Sequence, residues 1–300
     1  MINKESTINL KAIAICMVLF GHLVSAKKID VNIAWIDVAT FGVSIFLFLS
    51  GYGLYKSYEQ KELKGYFRNK IVNVYMPFIL TTILIGAARG FWSDKWLGMI
   101  KTILFINPAL PIDGTMWYIY YIAMWYVIFY LTFYLLKSDT LRITSLFTIS
   151  ILVFNLPFTE KYSVVSFLFS FHAFTFTLGV AVAMCKPINK KLMLIAGLIC
   201  FVVFSYLFSM HFIKYNAINH IMASLIAAPA FVLIISSLNM KFKPLIFLGG
   251  ISYEIYLFEG AFRWLTFAPD KTSSCVIFFL ITISCAYTLK SFLSKIKRPI

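Results

Sequence analysis

The chain has 300 residues, of which 61% are hydrophobic and 13% charged, and its mean hydropathy is +0.85. A water-soluble domain of this length could not carry that balance, so the composition points to a protein almost filled by membrane spans. The net charge of +15 would suit a nucleic-acid binder. Its Lys and Arg residues sit instead in short stretches between apolar runs, where they set membrane orientation, so nucleic acid is not an expected partner.

A membrane crossing needs about 20 apolar residues. By that measure ten helices are predicted, at residues 8–25, 35–55, 71–91, 115–136, 143–157, 163–184, 192–210, 218–238, 245–267 and 274–293. The expected fold is an all-α polytopic membrane helix bundle of about ten transmembrane helices, one domain over residues 1–300. The fifth segment is short, and the ninth carries Glu254, Glu259 and Arg263. With the N-terminus inside, the cytoplasmic side holds Lys4 and Lys11, the five cations from Lys56 to Lys70, and Lys137 and Arg142. It also holds Lys186, Lys190 and Lys191, Lys241 and Lys243, and Lys290, Lys295, Lys297 and Arg298, in all 18 of the 27 basic residues. This bias places both termini in the cytoplasm.

Residues 92–114 form the longest outer segment, with Trp92, Trp96, Pro108 and Pro111. They are expected to lie along the interface or to fold back over a site. The longest inner loop, 56–70, is the basic one. Anionic lipid or a phosphorylated cytosolic ligand would each be attracted there. Val24-Ser25-Ala26 has the look of a signal-peptidase site, but Lys27 and Lys28 follow at once and further spans remain to be inserted. The five cysteines lie in or at the ends of apolar segments without a CxxC or Cys/His spacing. Neither a metal site nor a disulfide framework is expected.

The first helix carries the pattern most suggestive of chemistry. Lys11 and His22 bracket the run AIAICMVLFG. Eleven residues make about three turns, so the two share one helix face, roughly 16.5 Å apart along the axis. Ionisable residues within a span are costly and usually functional. A snorkelling lysine and a histidine capping the outer end remain the alternative.

Several segments in order resemble the acyltransferase-3 family of integral membrane acyltransferases. They are LKAIAICMVLFGHL at 10–23, FGVSIFLFLSGYGLYKSY at 41–58, FRNKIVNVYMPF at 67–78, MWYIYYI at 116–122 and LGGISYEIYLFE at 248–259. The resemblance covers nearly the whole chain. In it, Lys11 stands where the family usually has Arg, Lys70 and Asn73 where paired arginines are expected, Ser44 where many members carry Asp, and Glu259 where many carry His. It implies transfer of an acyl group, acetyl foremost, from cytosolic acyl-CoA as co-substrate to a hydroxyl of a cell-envelope or extracellular glycan. No permanently bound cofactor is implied. The setting would be the bacterial plasma (inner) membrane, with membrane lipids, acyl-CoA and the glycan acceptor as partners.

On that resemblance Arg68 and Lys70, with Lys64 nearby, would hold the CoA phosphates. His22, near the outer end of its helix, would be the base, because imidazole's unperturbed pKa of about 6.5 suits general-base work. Glu259 reaches a similar depth on the ninth helix and would orient or charge the imidazole or bind the acceptor. A pair with Arg263, four residues on, is the alternative. Catalytic candidates are therefore His22, Lys11 and Glu259. Trp117 and Tyr118 could stack on a sugar or anchor the interface. His172 is read as a hydrogen-bonded packing residue, His211 and His220 as solvated, and Asp37 as a helix-start carboxylate. Gly51 and Gly53 are read as sites of close packing or a kink.

A transporter or flippase for a glycan or lipid-linked intermediate is the competing class, although no pair of broken helices in corresponding halves is visible. A membrane protease would need a serine or metal frame that the sequence lacks. Oligomeric state is not legible. The orientation is checked by reporter fusions: those after Lys61, Lys190 and Lys297 should read cytoplasmic, and those after Lys28 and Lys161 external. An external reading at Lys190 would sink the ten-helix topology.

Overall fold

The computed structural model describes residues 2–90, 96–106, 114–156, 163–214, 216–238 and 240–296, with residues 163–166 and 296 as backbone only. Lys161, Lys297 and Arg298, Trp92, Pro108 and Pro111 lie outside the described residues. Every regular element among the described residues is helical. The protein is an all-α polytopic bundle.

The elements are α1 (Lys4–Ser25), α2 (Val38–Lys61), α3 (Tyr66–Lys70), α4 (Met76–Ala88), α5 (Trp96–Ile103), α6 (Trp117–Leu135) and α7 (Asp139–Phe154). They continue as α8 (Ser163–Phe171), α9 (Thr175–Met184), α10 (Lys190–Ile213), α11 (Ala217–Leu238), α12 (Lys243–Gly250), α13 (Ser252–Phe262) and α14 (Lys271–Ile296). Among the described residues, eight helices are long and apolar enough to cross a membrane, and α12 with α13, counted as one bent span, makes nine. The predicted fifth span is α7, whose 16 residues reach only about 24 Å, short of an apolar layer about 30 Å thick. Each of the ten predicted segments thus falls on helix, and the count differs at the two segments that the sequence marks as irregular.

Two compact units divide the chain. One comprises Met1–Gly21, Asn32–Leu63 and Trp125–Gly250; the other comprises His22–Val31, Lys64–Met124 and Ile251–Ile300.

In the first unit α2 and α9 approach through small residues. A Cβ on Gly51 would meet the Phe176 carbonyl oxygen, and one on Gly179 would meet that of Phe48. Two backbones can come this close only where side chains vanish, and lipid-embedded helices rely on such contacts because apolar burial alone does not drive them together. Gly53 has nothing within 4 Å of its Cβ position, so of the two glycines only Gly51 is a packing site. Trp125 and Phe129 of α6 cover Phe176 from another side, at ring distances of 5.1 and 6.4 Å. Asn189 caps α10, its side chain accepting from the Leu192 N–H at 2.8 Å.

In the second unit the third span is not a uniform helix. Between α3 and α4, Ile71–Tyr75 form a π-helical turn, a wider coil that frequently occurs at functional sites. The Tyr253 hydroxyl of α13 donates to Val74 O within it at 2.8 Å. Asp270 caps α14 by accepting from the Ser273 N–H at 2.7 Å, and that bond holds its carboxyl below the ordinary carboxylate range.

Gly51→Val should separate α2 from α9 and destabilise the protein by about 1–3 kcal/mol, the usual cost of overpacking. Gly53→Ala should be neutral or stabilising by up to about 1 kcal/mol, since it meets open space and improves helix propensity. Thermal melts in detergent with labelled cysteines as reporters distinguish the two; equal effects would show that the α2–α9 contact is not tight.

Candidate active site

In the second unit several polar groups meet at one carboxylate. Glu259 has no exposed surface and sits in the last turns of α13. The His22 ring, in the last turn of α1, faces it with Nδ1 2.8 Å from Glu259 Oε1. Arg263 Nη1 lies 3.6 Å from the same oxygen, one helical turn away along the chain. Thr115, in the 3-10 turn Gly114–Met116, donates its hydroxyl to Oε1 at 3.4 Å. Glu259 Oε2 accepts no hydrogen bond from the described residues.

Neighbouring contacts fix these groups. The Tyr256 hydroxyl donates to the Thr115 carbonyl, which ties the 3-10 turn to the face of α13 one turn before Glu259. Arg89, just past α4, donates Nη2 to Ala261 O at 3.2 Å, satisfying a carbonyl at the C-terminal end of α13. Lys28 donates to Leu265 O at 2.5 Å and to Ser274 Oγ at 3.1 Å. The segment after α1 is thereby held against the connection from α13 to α14.

A carboxylate can only accept, so the His22 Nδ1–H is the donor in the 2.8 Å contact. In the neutral ring this leaves the Nε2 lone pair as the basic site. The His22 side chain keeps 18% of its surface exposed, enough for a reactant to approach an imidazole whose other nitrogen is held. A base oriented by a buried carboxylate is the arrangement that nucleophilic acyl chemistry uses on unrelated folds.

The other sequence candidates divide. Lys11 lies on the same unbroken helix as His22 and is half-buried; it belongs to the first unit. Arg68 and Lys64 are exposed, and Lys70 is half-buried with its ammonium 5.5 Å from the Tyr66 ring centroid. All three belong to the short basic stretch that enters the π-turn. Trp117 and Tyr118 are buried. Trp117 packs against Tyr121 at 5.9 Å and Tyr118 edge-on to Tyr256 at 5.6 Å. Tyr118 backs the tyrosine that anchors Thr115.

The acyltransferase-3 family, described as an acyltransferase domain, matches residues 6–290. The chain belongs to this family. No curated protein and no solved structure matches it. As a member, it is a multi-pass membrane acyltransferase, and the family match runs through both His22 and Glu259.

Sequence reasoning found His22, Glu259 and Arg263 but missed Thr115, Tyr256 and Arg89. Tyr256 lies three residues before Glu259 and so shares its face, a signal that was available. Thr115 and Arg89 sit at helix ends with no pattern around them. Glu259→Gln should lower kcat of acyl transfer by about 10²- to 10⁴-fold, as expected when a base loses the charge that orients it. Thr115→Val, which removes one long hydrogen bond of 3.4 Å, should cost no more than about tenfold. Steady-state kinetics on both variants checks this; equal losses would mean that the carboxylate merely holds the fold.

Proposed function

We propose that the protein takes an acyl group, acetyl foremost, from cytosolic acyl-CoA and transfers it to a hydroxyl of a cell-envelope or extracellular glycan. The observation that carries this reading is the 2.8 Å contact between His22 Nδ1 and the fully buried Glu259 carboxylate. It supports a role for His22 as general base.

In this mechanism the acceptor hydroxyl gives its proton to His22 Nε2 as its oxygen attacks the thioester carbonyl. The carbon–sulfur bond breaks, the imidazolium returns the proton to the departing CoA thiolate, and an ester remains on the acceptor. The buried Glu259 carboxylate stabilises the imidazolium between these steps, with Arg263 and Thr115 holding the carboxylate in place. Arg68, Lys70 and Lys64 supply positive charge for the CoA phosphates. Lys11, eleven residues before His22 on the same helix, brings one further positive charge to α1. The charge bias supports a bacterial plasma-membrane orientation with both termini in the cytoplasm.

The test is consumption of labelled acetyl-CoA by the purified protein with and without glycan. Acceptor-dependent CoA release is expected. His22→Ala and His22→Gln should each lose about 10²–10⁴-fold in rate, whereas Lys11→Arg should stay active and Lys11→Ala should not. Joint replacement of Arg68 and Lys70 by Gln should raise KM for acyl-CoA more than it lowers kcat, as loss of remote binding charge does. Glycan movement without CoA release would favour a carrier, and a nearly active His22→Gln would remove the histidine from the chemistry.

A further inference from the structure

The first unit holds a histidine–carboxylate cluster of its own. His211 Nε2 lies 2.7 Å from Asp37 Oδ2, and His220 Nε2 lies 3.8 Å from Asp37 Oδ1. One donor atom from each of the three residues falls within 4.8 Å of the others. The two imidazoles stack at 4.5 Å, tilted by 26°, so that both present Nε2 to the same carboxylate. His211 and His220 are 3% and 4% exposed, while Asp37 keeps 23% of its side-chain surface open.

These positions differ from the sequence reading, which took both histidines as solvated and Asp37 as a helix-start carboxylate. Asp37 does precede α2 but makes no side-chain capping bond. It turns toward the last turn of α10 and the first turn of α11. His220 packs against Phe41 and Phe171, and three ionisable side chains gathered at the end of an apolar bundle are costly unless something compensates them.

We infer that Asp37, His211 and His220 form a binding site for a divalent transition ion of the zinc class, which ties the ends of α2, α10 and α11 together. Zinc takes imidazole nitrogen and carboxylate oxygen at about 2.0–2.2 Å in a tetrahedral arrangement, which sets its donors roughly 3.3 Å apart. The observed 2.7 and 3.8 Å bracket that spacing. Both Nε2 atoms now face acceptor oxygens, the Asp37 carboxylate and, for His220, the Thr40 hydroxyl at 3.0 Å, whose own proton goes to Asp37 O at 2.7 Å. One ion would take the place of the two Nε2 protons that this arrangement requires. His211 Nδ1 lies 3.1 Å from Asn216 O, the kind of outer contact that fixes a ligating ring. Two imidazoles and one carboxylate exclude the oxygen-only preferences of calcium and magnesium, and the open side of Asp37 leaves room for water as a fourth ligand.

The test uses the full chain without a polyhistidine tag, purified in detergent, stripped with chelator and equilibrated with Zn²⁺. About one ion per chain should be retained after gel filtration, with a higher Tm than the stripped protein. Asp37→Asn, His211→Gln and His220→Gln should each drop retention to background, and His22→Gln should not. X-ray absorption at the zinc edge should show two imidazole nitrogens with oxygen. That spectrum, read on the wild type, decides the matter even where a variant fails to fold. No retained zinc, retention that the cluster variants leave unchanged, or a spectrum with sulfur or oxygen alone would overturn the inference. Because the readouts are metal content and spectrum, they stand or fall independently of acyl transfer.

Discussion

A carboxylate that has lost all contact with solvent must be compensated where it stands, and Glu259 is the group around which the second unit is arranged. Burying an ion costs several kcal/mol even after relaxation, and only close, well-directed donors offset it. His22, Arg263 and Thr115 all direct their donors to Oε1. They come from the end of α1, the end of α13 and the turn before α6, so one oxygen links segments that are distant in the chain. The Tyr256–Thr115 and Arg89–Ala261 bonds hold the same segments from outside. Glu259 Oε1 thus lies within ion-pair distance of both the His22 ring and the Arg263 guanidinium.

The first unit follows the same constraint with different means. Its helices meet through Gly51 and Gly179, where backbone lies on backbone. Some of its buried polar groups lie at helix breaks and ends. His172 sits in the turn between α8 and α9, within 3.2 Å of Ser44 Oγ, which in turn lies 2.7 Å from Ser224 Oγ. Arg142, 8% exposed, donates to the Leu136 carbonyl beyond the end of α6, to Asp139 and to Tyr58. Its guanidinium also lies over the Tyr58 and Phe133 rings, 4.9 and 4.8 Å from their centroids. Where a helix stops, its free carbonyls and amides need partners, and charged side chains are cheapest to bury beside them.

What could be read from the sequence tracks what water decides. Span positions were legible because transfer into lipid is a property of composition. That Lys11 and His22 share one helix was legible because the run between them is apolar throughout. Which side of an apolar helix meets protein was not legible. Lipid tails are as apolar as a core, so Trp117 and Tyr118 carry no mark that separates a membrane belt from buried packing. His211 and His220 misled for a related reason. A histidine at a helix end is solvated unless a partner from elsewhere in the chain covers it, and Asp37 lies far away in sequence.

The departures from the family pattern have local physical consequences. At Asn73, where a second cation is expected, the side chain amide donates to Asn69 O at 2.9 Å, back into the turn of helix that leads to the π-turn. The polar group there serves the backbone of a widened coil, and it brings no charge. Positive charge at this entry rests on Arg68, Lys64 and Lys70, the last already over the Tyr66 face. At Lys11 the change from a planar fork to a single ammonium keeps the charge but gives up two-point geometry. Both substitutions act in the same direction. They leave a field able to attract a polyanion while reducing the directed contacts that would select one phosphate arrangement over another. The directed contacts of the second unit lie instead at Glu259, where the His22 ring, Arg263 and Thr115 converge on one buried oxygen.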